Sequence, residues 1–81
     1  MDIQERSEIL RQHENYCYRI SFYLVQDEQL SIQATIAALL DLAVDSHFLK
    51  GDLVTQKEIA KRAAIHSSLR AKATACSEAV S

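Results

Sequence analysis

Between Ile3 and Val25, apolar residues recur every seventh place in two adjacent rows. Ile3, Leu10, Cys17 and Leu24 form one row, and Ile9, Tyr16 and Tyr23 form the other, with Ile20 between them. Rows spaced this way make a single stripe on a helix of about six turns. Glu5, Glu8, Arg11, Arg19 and Gln26 lie opposite. Tyr18 and Phe22 fall off the stripe; they either cover a second partner surface or stand exposed. The chain then turns at "QDEQ", where Asp27 caps a second helix or the helix restarts at Ser31. The run "TIAALLDLAV" is apolar on nearly every side except at Asp41, the pattern of a helix covered from several directions. Two neighbours in so small a bundle leave part of it bare, so oligomerisation or an outside partner would cover the rest. This helix is expected to end near Lys50, with Gly51 as a left-handed cap and Lys50 beside the terminal carbonyls.

The third helix has the clearest start signal. Thr55 and Glu58 in "TQKE" fit a capping box, with Val54 and Ile59 as its hydrophobic staple. On that reading Thr55→Ala costs about 1 kcal/mol. Ile59, Ala60 and Ala63 give a narrow apolar face, continued by Ile65 or Leu69. Lys57, Lys61 and Arg62 cluster elsewhere on the helix, with Arg70 and Lys72 two turns on, and the chain weakens after Ala73. An alternative treats residues 55–73 as a helix-turn-helix around Ala60 and Ala64, although nothing there breaks the helix. The expected fold is therefore all-α: a small bundle of three antiparallel helices in a single domain over residues 1–81, with room for a short extra turn between helices.

Composition agrees with that expectation. The chain has 81 residues, no proline and one glycine. A chain this short buries only about 60–65% of its unfolded surface and keeps one small core. The N-terminus is polar and acidic, and no apolar run approaches the length of a membrane span, so a cytoplasmic protein is expected. The formal charge of −2 hides a division. Residues 1–49 carry three basic and eight acidic side chains, whereas residues 50–81 carry six basic and three acidic. Such asymmetry points to two different surfaces.

Candidate chemistry is sparse. Cys17 and Cys76 lack metal or redox spacing and read as reduced, apolar-like thiols. His13, His47 and His66 are scattered, so no metal site and no cofactor are expected. Asp41 and Asp45 stand one turn apart and read as a solvated face. There is no phosphate loop, paired-carboxylate set or nucleophile–base motif, so the chain is not expected to be an enzyme. A basic helix face can neutralise phosphates, and it can equally serve solubility.

Two stretches together resemble region 2 of bacterial RNA polymerase sigma factors, especially the extracytoplasmic-function group. "YCYRISFYLVQDEQLSIQAT" is similar to the start of that region, where a Tyr-Arg pair, a Leu and an Asp turn precede an Ala-rich helix. "IAKRAAIHSSLR", Ile59 to Arg70, is similar to its end, which runs roughly "IARNxAIDxLR". Order, spacing and length agree over about residues 10–72. The resemblance implies a helical domain whose second helix docks on the polymerase clamp and whose last helix recognises and helps open promoter DNA. By position, Arg62 stands at the family's Asn, His66 at its Asp, and Arg70 at its Arg, one place late. The insertion rotates Arg70 by about 100° around the helix.

The departures shape the alternatives. Where the family's docking helix reads near "AEDxxQExF", this chain has Gln33, Ile36 and Ala37. Where the family carries aromatics before "IA", this chain has "TQKE". No counterpart of the region that reads the upstream promoter element is expected within these 81 residues. One reading is a sigma-region-2-like transcription protein, perhaps half of a split sigma factor, binding the polymerase core or a partner sigma-like subunit together with promoter DNA. Its DNA-binding candidates are Lys57, Lys61, Arg62, His66, Arg70 and Lys72. Its partner-surface candidates are Gln33, Ile36, Ala37, Leu40 and Asp41. The other reading is a small helical interaction module, a homodimer, that has lost sigma activity.

Overall fold

The computed structural model describes residues 3–80, with side chains through residue 74. Four helices follow in order: α1 (Ile3–Val25), α2 (Glu28–Ala43), α3 (Ser46–Lys50) and α4 (Leu53–Val80). Among the described residues there is no strand. α1, α2 and α4 pack on one another, and the five-residue α3 is the short extra turn that the sequence left room for. His13 meets Gln56 and Cys17 meets Ala60, so α1 and α4 run parallel at a constant offset. α2 passes antiparallel beside both, and Tyr18 lies near Ile32 while Ala34 lies near Ala71. The longest dimension, 44 Å, is close to the length of α4 alone, about 42 Å for its 28 residues.

The α1–α2 connection is Gln26 and Asp27. Gln26 takes a left-handed φ of 57°, and its N–H donates to the Phe22 carbonyl at 2.7 Å, closing α1. Asp27 returns to extended backbone, and its Oδ1 accepts the Leu30 N–H at 2.9 Å. Of the two possible starts for α2, Asp27 is the one used. Ser31 instead donates its hydroxyl back to the Asp27 carbonyl.

Three local expectations are corrected. α2 ends at Ala43 rather than near Lys50, because Asp45 starts a new helix. Its Oδ1 accepts the His47 N–H at 2.9 Å and the Phe48 N–H at 3.2 Å. Asp45 is thus a cap, not half of a solvated acid pair with Asp41. Gly51 is not left-handed: its φ is −76° and its ψ 163°. Glycine is needed there for space, since a Cβ would lie 2.9 Å from both the His47 carbonyl oxygen and Thr55 Cγ2. α4 starts at Leu53, capped by Asp52 rather than Thr55. The Asp52 carboxylate accepts the Thr55 N–H at 2.8 Å, and Val54 stands in solvent without stapling anything. Hydrogen bonds from the Thr55 backbone and side chain hold the Asp52 carboxyl below its usual pKa.

α4 is unbroken, which removes the helix-turn-helix alternative. It also runs on to Val80, past the point where the sequence weakens.

The core differs most from the apolar stripes. Its buried apolar members are Cys17, Ala34, Ala38, Leu42, Phe48, Ala60 and Ala64, mostly small. Buried with them are His13, Ser21, Ser31, Thr35, Gln56, Ser67 and Ser68. Ile3 and Tyr23, placed on the stripe by the seven-residue spacing, are exposed instead. So is Leu69, while Ser67 and Ser68 continue the inner face of α4. Small side chains let α2 and α4 approach closely. Two of these hydroxyls are satisfied by donating back along their own helices, Thr35 to the Ser31 carbonyl at 2.7 Å and Ser68 to that of Ala64 at 2.6 Å, whereas the buried Ser21 Oγ has no hydrogen-bond partner among the described residues.

Between α1 and α4, His13 Nε2 lies 3.2 Å from Gln56 Oε1, a pairing that needs the proton on Nε2. The same imidazole stands edge-on to Phe48, with centroids 5.2 Å apart. Phe48 is the buried anchor of α3, so this cluster ties three elements together.

Candidate protein and nucleic-acid interfaces

The outward side of α2 is apolar and uncovered. Ile32, Ile36 and Leu40 recur every fourth place and are exposed, Leu40 to 65%. Gln33, Ala37 and Asp41 are exposed beside them, so every residue of the sequence-derived partner surface reaches solvent. Between Glu28 and Asp41 the helix carries no charged residue. The face continues onto α1 through Tyr18 and Phe22, whose rings stack at 6.0 Å. A groove of about 250 Å³ separates the two helices, with Tyr18, Ile32, Thr35, Ile36 and Leu39 in its walls. The two aromatics that fall off the main stripe of α1 thus border the α2 face. An apolar patch of this kind on a small domain marks an interaction surface.

The basic residues of α4 are all exposed, but they do not form one patch. At 100° per residue, Lys57, Lys61 and Lys72 fall within about 60° of one another. Arg62, His66 and Arg70 span about 80°, centred roughly 150° away from the lysines. The second group looks toward α2. Arg62 and His66 share a groove with Asp41, Asp45 and His47. Arg70 shares another with Gln33, Ala37 and Asp41. Half of the DNA-binding candidates therefore adjoin the partner-surface candidates, where two carboxylates offset their charge. Of the lysine group, Lys57 reaches α1, its ammonium over the Tyr16 ring at 5.7 Å. The only acid among the described side chains of α4 is Glu58.

Sequence reasoning passed over the α1 side of this surface. Tyr16 and Tyr23 look like stripe residues, yet they border a groove of about 450 Å³ with Arg19, Ile20, Leu24 and Ile65. The signal that could have found it is the offset between the α1 and α4 patterns, which only their parallel packing defines.

Burial pushes the Cys17 thiol up to about 11, which disfavours the ionised form at neutral pH. The Cys17 Sγ faces the Ala60 carbonyl and fills core space; the Cys76 side chain lies outside the described residues. Among the described residues, no three His, Cys, Asp or Glu side chains converge as metal ligands. None of the described helices is long and apolar enough to cross a membrane. Comparison with protein-family models, with characterised proteins and with solved structures finds no match to this chain.

Proposed function

We propose that this chain is a transcription protein of the sigma region 2 type, docking through α2 on the RNA polymerase core or a partner sigma-like subunit and contacting promoter DNA through α4. The observation that carries this reading is the bare apolar face of α2, Ile32, Ile36 and Leu40, on the helix to which the resemblance assigns docking. Family docking relies on polar and charged groups at the positions of Gln33, Ile36 and Ala37. Apolar residues at two of these places make burial of hydrocarbon the driving force, at about 25 cal/mol per Å² removed from water. Among the basic residues of α4, Lys57, Lys61 and Lys72 are exposed on the flank away from Arg62, His66 and Arg70, which adjoin the α2 face, and these lysines are the ones that would meet phosphates.

Pull-down with purified polymerase core, with and without a separately supplied partner subunit, tests the reading. Retention of the wild-type chain and loss with Leu40→Glu is the expected result. Absence of any association with polymerase, partner or DNA at low salt ends it.

A second reading, a dimeric interaction module, draws on the same loss of polar groups at Ile36 and Ala37. It expects a dimer by sedimentation that Ile36→Glu dissociates; a strict monomer removes it.

A further inference from the structure

Ile32, Ile36, Leu40 and Val44 stand one turn apart along α2 and its cap, and all are exposed. They make a single ridge at four-residue spacing. Such a ridge fits the groove beside the same ridge of an identical helix, with the axes crossing at about 50°. The charges on either side of the ridge decide how a second copy can lie there. On the α1 side, Glu14 shares a groove with Ile36 and Leu39. On the α4 side, Arg70 shares a groove with Gln33 and Ala37. An exposed acid and an exposed base therefore stand level with the middle of the ridge, on opposite flanks.

A two-fold pairing on this face has two forms. With the two α2 helices pointing in opposite directions, α1 meets the partner's α1 and α4 meets the partner's α4. Glu14 then faces its own symmetry mate, Arg70 faces its own, and like charges repel. With the helices pointing the same way, the flanks are exchanged. Each Glu14 then faces Arg70 of the partner subunit, and the face is complementary to itself.

We propose that a second copy of this chain covers the α2 face, the two α2 helices crossing in the same direction with each Glu14 paired to Arg70 of the partner subunit. This deepens the dimeric reading given above and rests on it. Crossed ridges touch mainly near their middle, so the buried area falls at the small end for specific interfaces, about 1,200 Å² or less, and the dimer parts on dilution. The pairing hides Ile36 and Leu40, so self-association and docking on another protein exclude each other.

Sedimentation of the full chain over a concentration series tests the proposal, with wild type, Glu14→Arg, Arg70→Glu and an equimolar mixture of the two variants. Circular dichroism of each variant checks the fold, which exposed positions should leave intact. Wild type is expected in monomer–dimer equilibrium, and each charge reversal alone should weaken association about tenfold. The mixture should return to the wild-type level, because a heterodimer of the two variants sets opposite charges against each other at both contacts. Silent reversals, or a mixture no stronger than its components, overturn the arrangement and leave the dimeric reading standing. Tighter association of Glu14→Gln than of wild type also overturns it, in favour of helices pointing in opposite directions. A monomer at every concentration overturns both the arrangement and the dimeric reading, and leaves docking by α2 to the pull-down.

Discussion

Replacing Gln56 by leucine would strand a buried donor. His13 is nearly inaccessible to water, and its Nε2 has Gln56 Oε1 as partner at 3.2 Å across the α1–α4 seam. Leucine is close in size to glutamine, so the cost is mainly the unmet imidazole N–H, about 1–3 kcal/mol. A domain of this size holds about 5 kcal/mol in total. With a urea slope near 1 kcal/mol/M, typical of the smallest proteins, the midpoint should fall by about 1–3 M. His13→Leu should also destabilise, by stranding the Gln56 amide and losing the edge contact to Phe48, the latter about 0.5–1.5 kcal/mol. The double variant His13→Leu/Gln56→Leu removes both polar partners together. It should therefore be more stable than the sum of the single losses predicts, by about 1–2 kcal/mol. Urea titrations followed by circular dichroism give all four corners of the cycle. Additive losses, within about 0.5 kcal/mol, would refute the argument that these groups satisfy each other.

Three further outcomes follow from the geometry. Asp52→Ala should lower the thermal midpoint more than Thr55→Ala does, since Asp52 provides the cap of α4. The lowered Asp52 pKa means that its contribution is complete above the ordinary carboxylate range and is lost as pH falls through the folded-state value; acid-range melts of Asp52→Asn should show a shallower decline than wild type. In a Cys76→Ser chain, Cys17 should react with a thiol reagent only as fast as the fold opens. Stability should drop as pH rises from the ordinary value of 9.0 toward about 11, because the unfolded thiol ionises first; immediate reaction of the native protein would contradict the burial argument. Ile36→Glu and Leu40→Glu should leave the urea midpoint within the range of ordinary surface substitutions, about 0.5 kcal/mol, because both side chains already stand in water. A collapse of the fold would place them in the core instead.

The helical class was legible because periodicity and the near absence of breakers agree over most of the chain. The start of α2 at Asp27 was legible as one of two caps. Other boundaries failed where two signals compete within a few residues. By spacing alone Asp45 is one of a surface pair, yet its carboxylate accepts two backbone N–H groups. Asp52 preceded a convincing Thr-x-x-Glu pattern and took the cap from it. The core was harder still. A hydrophobicity pattern cannot select His13, Ser21, Ser67 and Ser68 over Ile3, Tyr23 and Leu69 as interior residues, because the choice depends on how closely the helices approach. The apolar face of α2 was readable from sequence as a surplus, while the split of the basic residues into two flanks required the neighbours of α4.

The interior built from alanine and serine has a consequence for solution behaviour. Much of this chain's bulkiest hydrocarbon lies on the outside, while its fully buried apolar side chains, Leu42 and Phe48 apart, are cysteine and alanine. Such a molecule gains little cohesion from its own centre and carries a standing affinity for any surface that wets poorly. Purified alone it should become turbid with rising concentration well before it melts, and a true companion should be recognised by how far it delays that clouding.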